Sequence, residues 1–234
     1  MRVDPRSCTL LKGVVGSTAY GLNHANSDLD YLGMFAVPTV KLFDMDAPNL
    51  DQAIEFKNPD TKFYEAGKYV KLALNCNPSI LELLWLEHYN VRTSYGNDLI
   101  ALRNAFPSRK AVRNAYMGYA TQQLSRLDRN QDFDKRAKNA RHFARLLWQG
   151  RVLYQTGELV VRLPNPEFFI EFGKSIAGGN TEKAKDAVAQ ASVAFDGPSA
   201  LPEYPNKKLV NEWLIGVRHG LYIRTDSNLD SNME

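Results

Sequence analysis

Cysteine is scarce in this 234-residue chain. Cys8 and Cys76 stand alone, with neither C-x-x-C nor metal-like spacing. That excludes a disulfide framework and predicts buried thiols in a reducing compartment. Long apolar runs are missing too. The stretch Ile80 to Leu86 is broken by Glu82 and falls well short of the ~20 residues a membrane span requires. The opening Met1-Arg2-Val3-Asp4-Pro5 lacks the apolar centre of a secretory leader. Together these absences predict a cytoplasmic protein with no membrane partner. There is no internal repeat and no low-complexity tract. There is also no Walker-type phosphate loop, no legible Ser/His/Asp triad and no Cys/His zinc spacing. Hydrophobic residues make up 44% and charged residues 24%, which allows a packed core and argues against wholesale disorder.

Net charge is only +3, but it is unevenly placed. Residues 1–60 hold five Lys/Arg against eight Asp/Glu, and residues 101–151 hold twelve against three. An acidic first segment that collects cations and a basic middle that meets polyanions follow from that segregation. A solvated helix face would look similar.

Thr9 to Val15 is a strand pattern ending at Gly16-Ser17. Tyr31 to Val37 is a second, closed by Pro38, and Ala53 to Lys57 a third, before the turn signal Asn58-Pro59. From Phe63 to Leu74 the apolar spacing becomes helical, and Asn77-Pro78-Ser79 starts a further helix through Leu86. Helices are expected over 108–127, 132–156, after Pro166 through Ile176, over 181–195 and over 205–223. The pattern describes an α+β head (1–90), an α-helical body with basic helices (91–225) and a loose tail (226–234).

The informative segment is GSTAYGLNHANSDLDYLG, Gly16 to Gly33. A small-residue turn follows a strand, and Asp28-x-Asp30 then leads into the next. On a strand, residues i and i+2 share a face, so Asp28 and Asp30 present two carboxylates together, with Leu29 expected to face the core. Paired hard oxygen ligands suit Mg²⁺, and a Gly-Ser turn offers backbone N–H groups and a hydroxyl to a polyphosphate. Those are the parts of two-metal phosphoryl transfer. His24, between them, is within reach of a phosphate but equally suits a solvent-facing loop.

This pattern resembles the DNA polymerase β-like nucleotidyltransferase superfamily. More specifically, it is similar to a branch of predicted nucleotidyltransferases of bacteria and phages labelled the RNA repair pathway polymerase β family. The likeness extends through YEAGKY (Tyr64 to Tyr69), LALNCNPSILELLW (Leu72 to Trp85), GYATQQLSRL (Gly118 to Leu127) and KNARHFARLL (Lys138 to Leu147), and covers about residues 10–165. It implies a palm-like head with a mixed sheet, and transfer of a nucleoside monophosphate from an NTP, such as ATP, with release of pyrophosphate. It also implies a third carboxylate on a neighbouring strand. Asp60 matches the branch by position, and Glu55 in AIEFK is the rival. An Asp after Pro59 also suits a helix N-cap. On this resemblance Asp28, Asp30 and Asp60 would be the catalytic metal ligands for two Mg²⁺ ions, with Mn²⁺ an alternative. Gly16 and Ser17 would hold the β/γ phosphates, and Lys68 would neutralise phosphate charge.

Lys138, His142, Arg145 and Gln149 fall on one narrow strip of a helix, opposite Ala140, Phe143, Ala144, Leu147 and Trp148. The strip is either a solvated face or a line of nucleotide-binding groups facing the cleft, and the family match favours the latter. Tyr116, Tyr119 and Gln123 follow Arg109, Lys110 and Arg113 on the preceding helix, as half-buried core or as base-stacking groups. The expected acceptor is an RNA end, such as that of a tRNA, extended without a template. Nucleotidylation of a protein or small molecule, or a silent binding module, are the alternatives.

Overall fold

The computed structural model describes residues 3–24, 27–127, 129 and 131–230, with side chains described through Tyr222. Five strands form one mixed sheet in the order β3-β4-β2-β1-β5. Thr9–Val15 is β1, the span read from its β-branched run and its closing glycine. It pairs antiparallel with β2 (Asp30–Phe35) and with the short β5 (Val91–Arg92). On its other side β2 pairs in parallel with β4 (Asp60–Glu65), and the edge strand β3 (Ile54–Phe56) pairs antiparallel with β4.

Strand β4 corrects the expectation of a helix from Phe63. Residues 61, 63 and 65 are buried while 60, 62 and 64 are more open, the period-2 alternation of a half-buried strand. The helix α2 (Ala66–Leu74) begins only after Glu65, whose carboxylate caps it by accepting from the Gly67 N–H at 2.7 Å. Asp60 therefore opens a strand and is no helix cap. The expected helix over 80–86 is a single α-turn, α3 (Pro78–Leu81), continued as a 3-10 turn to Trp85.

Between β1 and β2 lies the one-turn helix α1 (Gly16–Tyr20). The body comprises α4 (Ser94–Ala101), α5 (Arg109–Leu127), α6 (Phe133–Thr156), α7 (Pro166–Ala177), α8 (Thr181–Asp196) and α9 (Lys207–Asp230). Helix α6 is capped as its sequence suggests. Asp132 accepts from the Lys135 N–H, and Gly157 takes the left-handed conformation at φ 80°. Helices α5 and α6 approach closely because Gly150 leaves room for Tyr116; a Cβ there would lie 2.6 Å from the Tyr116 side chain. Helix α9 returns to the head. Arg218 meets the buried Glu65 of β4 at 2.6 Å, and on the way Trp213 Nε1 donates to the Tyr95 carbonyl of α4 at 3.1 Å. It also runs seven residues beyond the expected end at Ile223, into the segment read as a tail; residues 231–234 lie outside the described set.

The main apolar core joins head residues such as Leu11, Met34 and Tyr69 to body residues such as Phe143, Phe195 and Val217. A smaller cluster of Phe35, Val37 and Phe63 lies on the other side of the sheet, at its β3 edge. Trp213 belongs to the main core, while Trp85 and Trp148 pack against it half-buried. Cys76 is buried, and its thiol is pushed up to about 11 by desolvation, while Cys8 is half-buried. Among the described residues no helix is long and apolar enough to cross a membrane.

Candidate active site

The site is built beside α6, where β1 ends and β2 and β4 begin. Gly16 follows β1 at φ 69°, a left-handed conformation that glycine adopts without strain. A Cβ at this position would lie 2.6 Å from Asp30 Oδ2, so the turn and the carboxylate are packed against each other. Across the parallel pair Asp30 stands in register with Asp60, which puts the first residues of β2 and β4 side by side about 4.8 Å apart. Burial is the main cause that raises the Asp30 carboxyl above the ordinary range. The Asp60 carboxylate adds to the shift, Lys138 offsets it, and Asp28 adds a smaller push upward. Asp60 Oδ1 is buried and has no hydrogen-bond partner, while Oδ2 lies 3.4 Å from Lys57 Nζ.

Asp28 lies in the loop just before β2 and is exposed. Leu29, expected in the core, is 46% exposed, because the strand geometry that would have turned it inward begins only at Asp30. Among the described residues no three Asp, Glu, His or Cys side chains already converge as a ligand set. The residues nonetheless fit a divalent cation. Asp30 and Asp60 are two hard oxygen donors whose charges oppose each other, one of their oxygens is buried without a partner, and Asp28 is close enough to add to the repulsion. Glu55 is out of this arrangement. It sits on the exposed edge strand, two strands from Asp30, and pairs with Lys62 at 3.1 Å.

Two cavities meet at Gly16, Tyr20, Asp30 and Ser79. The first, about 310 Å³, is lined on its far side by Ser17, Gln123, Arg126, Lys138, Asn139, His142 and Arg145. The cationic strip of α6 thus faces the cleft. The second, about 430 Å³, contains Asp60, Lys62, Tyr64, Asn77 and Tyr119. Lys68, half-buried on α2, lines neither cavity, and His24 is exposed in the loop after α1. Tyr116 is fully buried in the core.

Beneath the cationic cavity lies a buried cluster that joins Glu82, in sequence an interruption of an apolar run, to Arg145 and Gln149 of the α6 strip. Glu82, 3% exposed, accepts from Tyr20 Oη at 2.7 Å and from the backbone of Gly16. Arg145 Nη1 lies 3.9 Å from its carboxylate and donates to Gln149 Oε1 at 2.7 Å, and the guanidinium stacks 3.9 Å over the Tyr20 ring. Gln149 in turn donates to the carbonyls of Val160 and Val161 at 2.9 and 3.1 Å. Burial pushes Glu82 up to about 7, although Arg145, Tyr20 and Gly16 all favour its charged form. His142 is edge-on to Tyr20; burial, with Arg145, Arg141 and Lys138 around it, pushes its imidazole down to about 3, so it is neutral near pH 7. A lone acid inside an apolar run was the signal for this cluster, since a buried carboxylate requires partners. Arg126 and Ser79 had no comparable signal.

A turn packed on a strand carboxylate, a second carboxylate in register with it, and a cationic helix across the cleft are suited to holding a polyphosphate beside divalent cations. The family model of the RNA repair pathway DNA polymerase beta family matches residues 6–166. The chain belongs to that family. The matched span takes in the whole sheet and α1 to α6, and ends at Pro166, where α7 begins. Both walls of the cleft therefore lie inside the family's extent, and α7 to α9 lie outside it. Membership places the chain among polymerase β-like nucleotidyltransferases connected with RNA repair. No curated protein matches the chain closely enough for comparison.

Proposed function

We propose that the protein transfers a nucleoside monophosphate from an NTP to a hydroxyl at an RNA end, such as that of a tRNA, without a template. The observation that carries this reading is the pairing of Asp30 with Asp60 at the junction of a cationic cavity and a tyrosine-lined one. The triphosphate belongs on the cationic side, where Lys138, Arg126 and the Ser17 hydroxyl face it and Asp30 is the one carboxylate among the described lining residues. There the pyrophosphate leaving group also departs, stabilised by the same cations. Gly16 leaves space beside Asp30, and Glu82 holds the turn and Arg145 from below.

Asp28, Asp30 and Asp60 would hold two Mg²⁺ or Mn²⁺ ions. Bound there, they would neutralise phosphoryl charge and acidify the acceptor hydroxyl. That hydroxyl approaches on the Asp60 side, where the carboxylate can accept its proton. The acceptor oxygen bonds to the α-phosphorus as the bond to the pyrophosphate oxygen breaks.

The test is pyrophosphate release, measured with Mg²⁺, each NTP in turn and total cellular RNA. Release that requires RNA and is lost in Asp60→Asn supports the reading. RNA-independent release, or none despite NTP binding, contradicts it.

A further inference from the structure

The second cavity lies on the Asp60 side of Asp30, away from Lys138 and Arg126, and its walls have a definite chemistry. On β4 the side chains of Asp60, Lys62 and Tyr64 alternate onto the more open face, with Asp60 nearest Asp30. Facing them across the cavity is Tyr119 of α5, 37% exposed. Its hydroxyl accepts from Asn77 Nδ2 at 2.7 Å, which leaves its own proton free to donate. Asn77 Oδ1 is buried without a hydrogen-bond partner. Lys62 keeps its ammonium half-exposed beside Glu55.

A triphosphate would meet the Asp60 carboxylate here, so charge sends it to the other cavity. What the second one offers is the tyrosines Tyr64 and Tyr119, hydrogen-bonding groups and one cation, Lys62, beside Asp60, the carboxylate that the transferase reading sets toward an incoming hydroxyl. That is the chemistry that binds an unpaired base and its backbone phosphate.

We propose that this cavity is the acceptor subsite. It takes an unpaired nucleotide at a single-stranded RNA end, with the base against Tyr119 and Tyr64 and the phosphate near Lys62. The assignment rests on the transferase reading above, because that reading puts the acceptor on the Asp60 side.

The test is equilibrium binding of two fluorescent single-stranded oligoribonucleotides, identical except that one lacks its terminal base. NTP binding is measured in parallel, and thermal unfolding confirms folding. The wild type should bind the intact end about tenfold more tightly than the abasic one. Tyr119→Ala should erase that difference, Tyr119→Phe should keep it, and NTP binding should be unchanged in both. Equal binding of the two oligonucleotides by the wild type would overturn the assignment, as would equal weakening of both by Tyr119→Ala. Absence of RNA binding beside intact NTP binding would also overturn it and would leave the transferase reading with a protein or small-molecule acceptor. Failure of the wild type to bind NTP would instead strike the transferase reading, and this assignment with it.

Discussion

A Cβ placed on Gly16 would lie 2.6 Å from Oδ2 of Asp30. The turn and the carboxylate occupy one space, and the only side chain that fits is a hydrogen atom. Gly16 also sits at φ 69°, where an L-residue pays roughly 1–2 kcal/mol. Gly16→Ala should therefore lower stability by about that amount, and displace Asp30 enough to reduce kcat about a hundredfold or more. Thermal unfolding and turnover with saturating NTP check both parts. A variant that unfolds earlier but turns over normally would mean that the packing is structural only.

Asp30 and Asp60 stand in register at the starts of adjacent strands, and burial, with the Asp60 charge adding to it, raises the Asp30 carboxyl in the cation-free protein. Neutralising one of them removes the repulsion between the two charges. Asp30→Asn is expected to raise the melting temperature measured in chelator while abolishing turnover, the trade between stability and function found at charged sites. Added Mg²⁺ should stabilise the wild type and not the variant. Glu55→Gln, on the edge strand, should leave turnover unchanged; a loss there would restore Glu55 as the third carboxylate.

The triphosphate wall is tested by comparing two lysines. Lys138 lines the cationic cavity beside Asp30, and Lys68 does not. Lys138→Ala should raise the KM for NTP about tenfold, as expected for loss of a charge-assisted contact. Lys68→Ala should leave it unchanged. Equal effects from the two would move the triphosphate site toward α2.

Glu82 gives a dependence on pH. Its carboxyl rises from an ordinary 4.5 to about 7 in the folded protein. A carboxyl raised on folding adds stability that is fully present below pH 4.5 and is lost as pH rises through about 7. His142 acts in the opposite sense, since its value falls from 6.5 to about 3, so its contribution is lost as pH falls through that window. The informative quantity is therefore the difference between wild type and Glu82→Gln. In the cation-free protein the variant should gain stability relative to the wild type as pH rises from 4.5 to 7. A constant difference across that range would show that Glu82 does not titrate there.

Much of this site was legible because its markers are local. The strand at Thr9–Val15 announced itself by composition. The spacing Asp28-x-Asp30 predicts one shared strand face, but β2 begins at Asp30 and leaves Asp28 exposed in the loop before it. Helix α6 is marked at its two ends by Asp132 and Gly157. What escaped depended on tertiary context. Phe63 and Tyr64 continue a helical apolar pattern into α2, and only pairing with β2 makes them strand. Leu29 belongs to a loop because β2 starts one residue later. Arg145 and Gln149 share the strip of Lys138, yet they are buried, since that strip leans on the head rather than on solvent. Lys68 matched the family pattern in sequence, but a match of residue type does not say which cavity a side chain reaches.

The central claim is that paired strand carboxylates move a nucleotide onto RNA. Its most direct test incubates the protein with Mg²⁺, each α-³²P-labelled NTP in turn and total RNA, alongside Asp60→Asn. Label entering an RNA band with the wild type and absent with the variant is the predicted result. Label entering protein, or entering RNA equally well with Asp60→Asn, would contradict it.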